Sequence, residues 1–227
     1  MARPVLYPLR SIDTAAVTYS AHPYGRRRVT IDHQPLAGVT PAMLLDWFSN
    51  LGGTIRYGDE VIDRYLAWHP IDHISWELAR SAPAGGAAEG ARFHMVEAFG
   101  ARPEYLVDEI ARVEKLDETG IRLVLRVAGL IVFQLEHTWS AGVDGAHYVT
   151  VMDLGPRARV LAPVNRVLRR RFSEDKARAW VKHNIEEVGQ LEYLLPQLES
   201  GEAEPAQGAE GRDRAPHREH RQAEPVN

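Results

Sequence analysis

Hydrophobic residues near the C-terminal end of the chain recur at the spacing of one helix face. Between Ser173 and Leu198, a rotation of about 100° per residue gathers the apolar side chains into a single stripe. The stripe consists of Ala177, Val181, Val188, Leu191, Leu195 and Leu198. Ser173 is a suitable N-cap, and Glu174 and Asp175 fall in the first turn, where the helix dipole favours negative charge. The pattern predicts a long amphipathic helix over this segment.

The middle of the chain alternates with a period of two, which is typical of strands. Five such segments cover residues 91–100, 104–116, 120–129, 130–139 and 147–155. Turn signals separate them, among them the hairpin dipeptide Asp144-Gly145. We therefore expect an antiparallel meander. If this dipeptide forms a two-residue turn, His137 lies opposite Met152.

Shorter segments complete the predicted fold. Thr40 and Pro41 have the residue types of an N-cap and a first helical position, so a short helix is expected from there to Gly52-Gly53. Residues 59–68 form a second amphipathic piece, and residues 81–90 have the composition of a loop. Short helices, an antiparallel sheet and a long C-terminal helix make an α+β fold, with room for a small ligand between sheet and helix.

A change of composition at about Ser200 predicts where the folded part ends. Beyond it Val226 is the only large aliphatic residue, so we expect residues 200–227 to be a disordered tail. Residues 1–199 are then predicted to form a single domain, because a chain with 44% hydrophobic residues and this length can bury one sizeable core.

Composition also narrows the classes of partner. A formal net charge of −4 argues against nucleic acid, and the basic runs Arg26–Arg28 and Arg169–Arg171 are more often solvated faces than binding sites. Without cysteine, any metal site must use histidine and carboxylate ligands. The N-terminal residues lack the apolar stretch of a secretory signal, and no apolar run reaches the length of a membrane span. We therefore expect a cytoplasmic protein without a membrane partner.

Candidate chemistry begins with the segment WHPIDH, which contains His69 and His73. Residues four apart share a face on a helix and on a strand alike, so the spacing cannot choose between them as a metal ligand. In the long helix, His183 and Glu187 lie together at the edge of the apolar stripe, whereas Glu186 points away from it. The alternative for the pair is a half-exposed contact that adds roughly 0.2–0.5 kcal/mol to the helix.

Two strands each direct one polar side chain to an apolar face. Alternation places Glu97 with Phe93, Met95 and Phe99 on one face. A carboxylate there requires an ion-pair partner, a proton or a cation, unless the strand lies at an exposed edge. His137 lies on the apolar face of the segment 130–139. With one histidine of WHPIDH and the pair on the long helix, the interior gains two histidines and two carboxylates, a set that suits Zn²⁺ or another first-row divalent ion.

Several longer motifs are similar to those of one enzyme family. They are RYLAWHPIDH, HNIEEVGQLEYLLPQL, LEHTW and VTVMDLG. Through them the chain, from about Thr40 to Leu198, resembles the diacetylphloroglucinol and phloretin hydrolases, metal-dependent enzymes that cleave the carbon–carbon bond between an acyl group and a phenolic ring. The resemblance implies a helix-grip fold of the Bet v 1 and START type, an antiparallel sheet wrapped on a long C-terminal helix. It also implies a small aromatic ketone as substrate and one Zn²⁺, or another divalent metal, per chain.

Carried over residue by residue, the resemblance implies four metal ligands. They are His73, Glu97, His183 and Glu187. A shifted gap would match Glu104 or Glu109 in place of Glu97, and the strand-face pattern favours Glu97. The family has a tyrosine eight residues before its metal histidine, and Tyr65 stands at that offset from His73.

The same offset from His69 falls on Val61, so the resemblance favours His73 as the ligand. It implies that His137 is the catalytic proton shuttle and that Tyr65 donates a hydrogen bond to a substrate oxygen.

The chain departs from the family at Trp76, where a polar asparagine is expected, and at Met152, where a second pocket tyrosine would face His137. These departures bear on the substrate more than on the metal. Two rival functions remain open, a non-catalytic helix-grip carrier of an aromatic or polyketide ligand and a metal-free cyclase of the same fold. A homodimer is a further expectation, since dimers are the commonest oligomers.

Overall fold

An antiparallel sheet of eight strands dominates the structure, a computed structural model that describes residues 3–199. The strands of this sheet are β1 (Ala15–His22), β2 (Arg26–His33), β5 (His73–Arg80), β6 (Arg92–Ala98), β7 (Leu106–Asp117), β8 (Gly120–Val127), β9 (Leu130–Gly142) and β10 (Gly145–Leu154). A separate hairpin consists of β3 (Thr54–Tyr57) and β4 (Glu60–Asp63). The order across the large sheet is β1-β2-β10-β9-β8-β7-β6-β5. The predicted disordered tail, residues 200–227, lies outside the described residues.

The described residues also form four α-helices, the last of which confirms the predicted long helix. They are α1 (Pro41–Ser49), α2 (Arg64–Trp68), α3 (Ala162–Arg171) and α4 (Glu174–Glu199). On α4, Val188 and Leu191 are fully buried in one core cluster with residues of β6, β8 and β9. Val181 packs in a second cluster with residues of β2 and β10. A sheet that packs along one long C-terminal helix is the α+β helix-grip fold expected from the sequence.

The N-terminal segment lies across α4 and covers part of its surface. The side chain of Gln190 donates to the carbonyl of Pro8 at 3.0 Å, and Arg10 forms an ion pair with Glu192 at 2.7 Å. Gly189 permits this close approach, because a Cβ there would lie 2.5 Å from the side chain of Arg10. Polar side chains in the middle of α4 are therefore buried together with the apolar ones.

The β9–β10 hairpin has a different register from the predicted one. Gly142 pairs with Gly145, so the two turn residues are Val143 and Asp144. His137 consequently lies opposite Thr150, two residues away from the expected Met152, and that prediction was wrong. A shift of two residues preserves which face each side chain occupies. His137 therefore still points into the buried side of the sheet, where it is 2% exposed.

Other local predictions have mixed outcomes. The N-cap at Thr40 is confirmed, since its hydroxyl accepts a hydrogen bond from the backbone N–H of Met43 at 3.2 Å. Residues 81–90 form neither helix nor strand, as expected of a loop. Residues 59–68 are not one amphipathic element, because β4 covers the first half and α2 the second. Strands β1 and β2 and helix α3 are additions that the pattern of the sequence did not predict.

The two basic runs are largely committed to contacts within the fold. Arg28 forms two hydrogen bonds with the Asp153 carboxylate, at 2.6 and 3.0 Å, and Arg27 pairs with Glu174. Arg169 donates to the carbonyl of Gly25 at 2.8 Å. Among the described helices, none combines the length and the apolar character that crossing a membrane requires.

Candidate metal centre

His73 begins β5 and is oriented by the short helix α2 that precedes it. Its Nδ1 lies 2.6 Å from the main-chain oxygen of Tyr65, and the two rings stack with their centroids 3.9 Å apart. A carbonyl oxygen can only accept, so in the neutral ring Nδ1 carries the proton and Nε2 has the lone pair. The eight-residue offset between Tyr65 and His73 thus has a structural reason, since helix α2 and a chain reversal bring them into contact.

His69 has the opposite arrangement. Its Nδ1 accepts a hydrogen bond from the backbone N–H of Asp72 at 3.1 Å, so its Nε2 carries the proton. That Nε2 faces Oε2 of Glu186 at 3.5 Å. Glu186, which the helix pattern places away from the apolar stripe, is nevertheless buried, because His69 covers it from the α2–β5 connection. The two histidines that the spacing could not separate are therefore distinguished by their hydrogen bonds.

His183 is held from behind by a buried carboxylate. Its Nδ1 donates to Oδ2 of Asp72 at 3.0 Å, and Asp72 also accepts the backbone N–H groups of Gly100 at 2.9 Å and Ala101 at 3.0 Å. Burial alone would raise the pKa of Asp72, but the hydrogen bonds from His183 and from the backbone N–H of Gly100 hold it below its usual range. A carboxylate in this position fixes the ring so that the lone pair of His183 is at Nε2.

Glu187 is one turn further along α4 and is almost completely buried. Its Oε1 accepts a hydrogen bond from the Asn184 side chain at 2.5 Å, which leaves Oε2 directed toward the histidines. Glu97 reaches the same place from β6, where its Oε1 accepts a short hydrogen bond from the hydroxyl of Tyr65.

Side chains from three parts of the chain therefore come together: the ligand atoms of His73, His183 and Glu187 lie within 4.8 Å of one another, and Glu97 lies beside them. The Nε2 of His73 lies 3.5 Å from Oε2 of Glu187 and 3.8 Å from Oε1 of Glu97. The Nε2 of His183 lies 3.6 Å from Oε2 of Glu187 and 3.8 Å from Oε2 of Glu97. Ligand atoms about 2.0–2.2 Å from a tetrahedral Zn²⁺ stand roughly 3.3–3.6 Å from one another. The observed spacings are close to that range.

In this set, burial disfavours the charged forms of both the carboxylates and the histidines. Burial raises the pKa of Glu187 to about 8, and burial, opposed in part by His73, raises the pKa of Glu97. Burial lowers the pKa of His73 to about 4 and holds that of His183 well below its usual value. The histidines are thus neutral, and the Nε2 of His73 is buried without a hydrogen-bond partner among the described residues. A divalent ion would use that lone pair and favour the charged form of both carboxylates.

A cavity of about 40 Å³ adjoins the converging side chains. Its walls are mainly aromatic and aliphatic, and its polar members are Tyr65, Glu97, His137, His183 and Glu187. The volume is far below the roughly 300–1,000 Å³ of pockets that hold drug-sized molecules. A larger surface groove, of about 350 Å³, lies between β1, β2 and the start of α4, and none of these site residues lines it.

The two side chains predicted to be catalytic both lie at this cavity. Tyr65 is 1% exposed, its hydroxyl donates to Glu97, and burial raises its pKa well above 10, so it remains protonated. His137 stacks on the ring of Phe48 with a centroid distance of 6.0 Å, and burial lowers its pKa to about 3. In this structure Tyr65 is thus a partner of Glu97, a contact that the sequence did not predict.

The alternative carboxylates and the positions that depart from the family pattern all lie away from the converging ligand atoms. Glu104 and Glu109 are exposed, so neither replaces Glu97 at the centre. Trp76 packs against Phe93 with ring centroids 5.1 Å apart, and it does not line the cavity. Met152 belongs to the core cluster around Trp180, and a tyrosine, Tyr148, has its ring centroid 5.4 Å from that of His137.

Sequence reasoning missed the residues that support the centre from outside. Asp72, inside WHPIDH, orients His183, and Asn184 orients Glu187. Thr150 contacts His137 directly, and His33 contacts the same hydroxyl of Thr150. The polar triplet of His183, Asn184 and Glu187 on one buried helix was the signal available for Asn184, whereas the contacts of His33 depend on sheet pairing alone.

No protein-family model matches the sequence, and no curated protein matches it. Similar solved structures include a protein from Rhodobacter sphaeroides, with 12% identity, 81% of this chain and 99% of the other covered, and a TM-score of 0.46. A START superfamily protein from Mycobacterium smegmatis has 12% identity, 76% and 97% coverage, and a TM-score of 0.45. For Ara h 8.0201 the values are 14%, 78% and 99%, and 0.42.

Proposed function

We propose that the chain is a metal-dependent hydrolase that cleaves the carbon–carbon bond between an acyl group and a phenolic ring and releases a carboxylic acid. The observation that carries the proposal is the convergence of His73, His183 and Glu187, whose ligand atoms all lie within 4.8 Å of one another. Glu97 lies beside this group, with Oε1 3.8 Å from Nε2 of His73 and Oε2 3.8 Å from Nε2 of His183, and we propose it as the fourth ligand. The motifs shared with the acylphenol hydrolases support the choice of substrate class.

A divalent ion held by these four side chains would supply Lewis-acid polarisation of a substrate oxygen. Tyr65 supports Glu97 by donating to Oε1, and Asp72 supports His183 by accepting from Nδ1. The apolar cavity walls exclude bulk water, which strengthens these electrostatic contacts. The chain thus provides the ligands, their orientation and a dry surrounding.

His137 is the group that would move a proton. Its Nε2 takes the proton of a phenolic hydroxyl as that O–H bond breaks, and then gives it to the ring carbon that bears the acyl group. The new C–H bond produces the keto tautomer. Water then adds to the acyl carbonyl, the carbon–carbon bond breaks with its electron pair going to the ring, one proton of the added water passes to the ring oxygen, and the phenol and the acid are released.

The cavity must enlarge for such a substrate to enter. At about 40 Å³ it has room for a few atoms only. Met95 and Leu135 line it and are only partly buried, and the unbranched side chain of Met95 can adopt several rotamers. Substrate binding is therefore expected to displace side chains of β6 and β9.

The alternative function is a non-catalytic carrier of an aromatic ligand, or a metal-free cyclase. The apolar lining of the cavity supports it, and so does the lowered pKa of His137, about 3, which makes the imidazole a weak base. In that case the four converging side chains would be only partly used.

Metal content separates these functions. Purified full-length protein should contain about one zinc per chain, and His183→Ala and Glu187→Ala should each lose it. The matched control is His94→Ala, because His94 pairs with Glu77 and Asp108 on the exposed face of the sheet. Protein that contains no metal, and whose melting temperature a chelator leaves unchanged, would contradict the proposal.

Acid release tests the reaction itself. Zinc-loaded protein should release free carboxylic acid from an acylphloroglucinol or a dihydrochalcone, and Glu187→Ala should abolish that release. Zinc binding with no acid release from either substrate class would favour the carrier function.

A further inference from the structure

A buried polar chain continues behind the cavity, away from the converging ligands. The Nδ1 of His137 lies 3.0 Å from the hydroxyl oxygen of Thr150, and the Nε2 of His33 lies 3.0 Å from the same oxygen. Thr150 is fully buried, and the two histidines are 2% and 3% exposed. The three residues come from β9, β10 and β2, which are neighbours in the sheet.

If the hydroxyl proton of Thr150 is donated to one of the two neutral imidazoles, two arrangements are possible. The hydroxyl of Thr150 can donate to one ring nitrogen, and the other must donate to its oxygen. Burial lowers the pKa of both His137 and His33 to about 3, so both rings are neutral near pH 7. Either His137 carries its proton on Nδ1 and His33 accepts at Nε2, or the reverse holds.

The surroundings of His33 favour the arrangement in which His137 carries its proton on Nδ1. The amide nitrogen of Asn184 donates to Glu187 at 2.5 Å, so the amide oxygen is left as an acceptor. That oxygen and the Nδ1 of His33 are both buried, and neither has a hydrogen-bond partner in the part of the chain that is described. Burial lowers the pKa of His33, and the neighbouring Asn184 side chain opposes that shift in part. A proton on Nδ1 of His33 could be donated toward this oxygen, and in that arrangement the Nε2 of His33 accepts from Thr150.

We propose that Thr150 and His33 are positioning residues that hold His137 in the Nδ1–H tautomer, with the lone pair of Nε2 directed to the cavity. The polar residues between Glu187 and His137, namely Asn184, His33 and Thr150, would then determine which ring nitrogen of His137 carries the proton. This inference rests on the proposed function for its catalytic meaning. The tautomer itself does not depend on it.

The chemical consequence is that His137 starts each cycle as a base. Its Nε2 accepts the phenolic proton, and the resulting imidazolium keeps its Nδ1–H bond to Thr150. The same Nε2–H bond then breaks as the ring carbon takes the proton, and the starting tautomer returns. No proton has to leave through Thr150 or His33.

Nitrogen chemical shifts of ¹⁵N-histidine-labelled, full-length protein test the tautomer directly. In the wild type, Nδ1 of His137 should be protonated and Nε2 unprotonated between pH 6 and 8. Thr150→Val keeps the shape but removes the acceptor, so the Nε2–H tautomer should become the major form. Thr150→Ser should restore the wild-type pattern. Thr138→Val is the matched control, since Thr138 lies on the same hairpin with its hydroxyl near the Val149 carbonyl.

An Nε2–H tautomer of His137 in the wild type, or shifts that Thr150→Val leaves unchanged, would overturn the inference. On an acylphloroglucinol substrate, Thr150→Val should lower kcat roughly 10- to 100-fold with little change in KM, and Thr150→Ser should recover it. A wild-type protein that releases no acid contradicts the proposed function, and the tautomer measurement still decides this inference.

Discussion

At the scale of single residues, a buried histidine can ligate a metal only if its free nitrogen has a lone pair. For His73 the carbonyl of Tyr65 determines this, because it requires a proton on Nδ1. For His69 the backbone N–H of Asp72 has the opposite effect and directs an N–H toward Glu186. Two residues with the same side chain and similar burial are therefore expected to have different roles.

Glutamine substitutions should separate these roles. His73→Gln removes a ligand and should lower zinc affinity by more than 100-fold, whereas His69→Gln changes only the surroundings and should cost roughly 10- to 100-fold at most. Competition with a chromophoric chelator, using purified full-length protein, measures both affinities. A larger loss for His69→Gln than for His73→Gln would reverse the assignment.

At the scale of elements, the β9–β10 hairpin determines which residues meet at His137. Gly145 has φ +131°, and a Cβ there would lie 2.0 Å from the main-chain oxygen of Leu36. Ala146 pairs with Leu36 through two backbone hydrogen bonds, at 2.9 and 3.1 Å. Gly145 therefore belongs to the strand, and the turn moves one residue toward the N-terminus.

Alanine at this glycine should be costly for that reason. Gly145→Ala should lower the free energy of unfolding by about 2–4 kcal/mol, since it combines an unfavourable φ with a backbone clash. Gly129→Ala is the matched control, because Gly129 also has a positive φ, +81°, but open space around it, and it should cost about 1 kcal/mol. Urea unfolding measures both, and equal losses would show that the contact with Leu36 is unimportant.

The sequence predicts those features of elements that depend on local periodicity. The face of Glu97 and that of His137 follow from alternation alone, and α4 follows from its apolar stripe. The register of the hairpin did not follow, because the contact of Gly145 with Leu36 spans more than a hundred residues of sequence. His33 was missed for the same reason, since β2 reaches β9 only through β10.

At the scale of the whole molecule, the interior contains several carboxylates and histidines whose ordinary charged forms are disfavoured. Burial raises the pKa of Glu187 to about 8 and lowers that of His73 to about 4. Without a cation, the folded state therefore binds a proton at Glu187 that the unfolded chain releases above pH 4.5. The stability of metal-free protein should depend on pH accordingly.

Between about pH 7 and 8, the free energy of unfolding of chelator-treated protein should fall as pH rises. The raised pKa of Glu187 gives this sign, with a slope of up to about 1.4 kcal/mol per pH unit for one proton. The buried histidines have lowered pKa values, so their contribution increases with pH and is nearly complete by pH 7. Urea titrations at several pH values measure the slope.

Two comparisons control this measurement. Glu187→Gln should make the slope much smaller, and zinc should abolish it because the bound carboxylate is charged at every pH in this range. A slope that is the same in wild-type and Glu187→Gln protein would contradict the raised pKa.

The N-terminal segment that lies across α4 has a consequence for the order in which the chain can fold during synthesis. Tyr7, Pro8 and Arg10 are translated well before Gln190 and Glu192, so their contacts with α4 can form only after α4 has been translated. Strand β2 likewise can pair with β10 only after β10 has been translated. A nascent chain that has not reached β10 therefore leaves both the N-terminal segment and one edge of β2 without their partners, so the completed fold can form only after nearly all of the described residues have been translated.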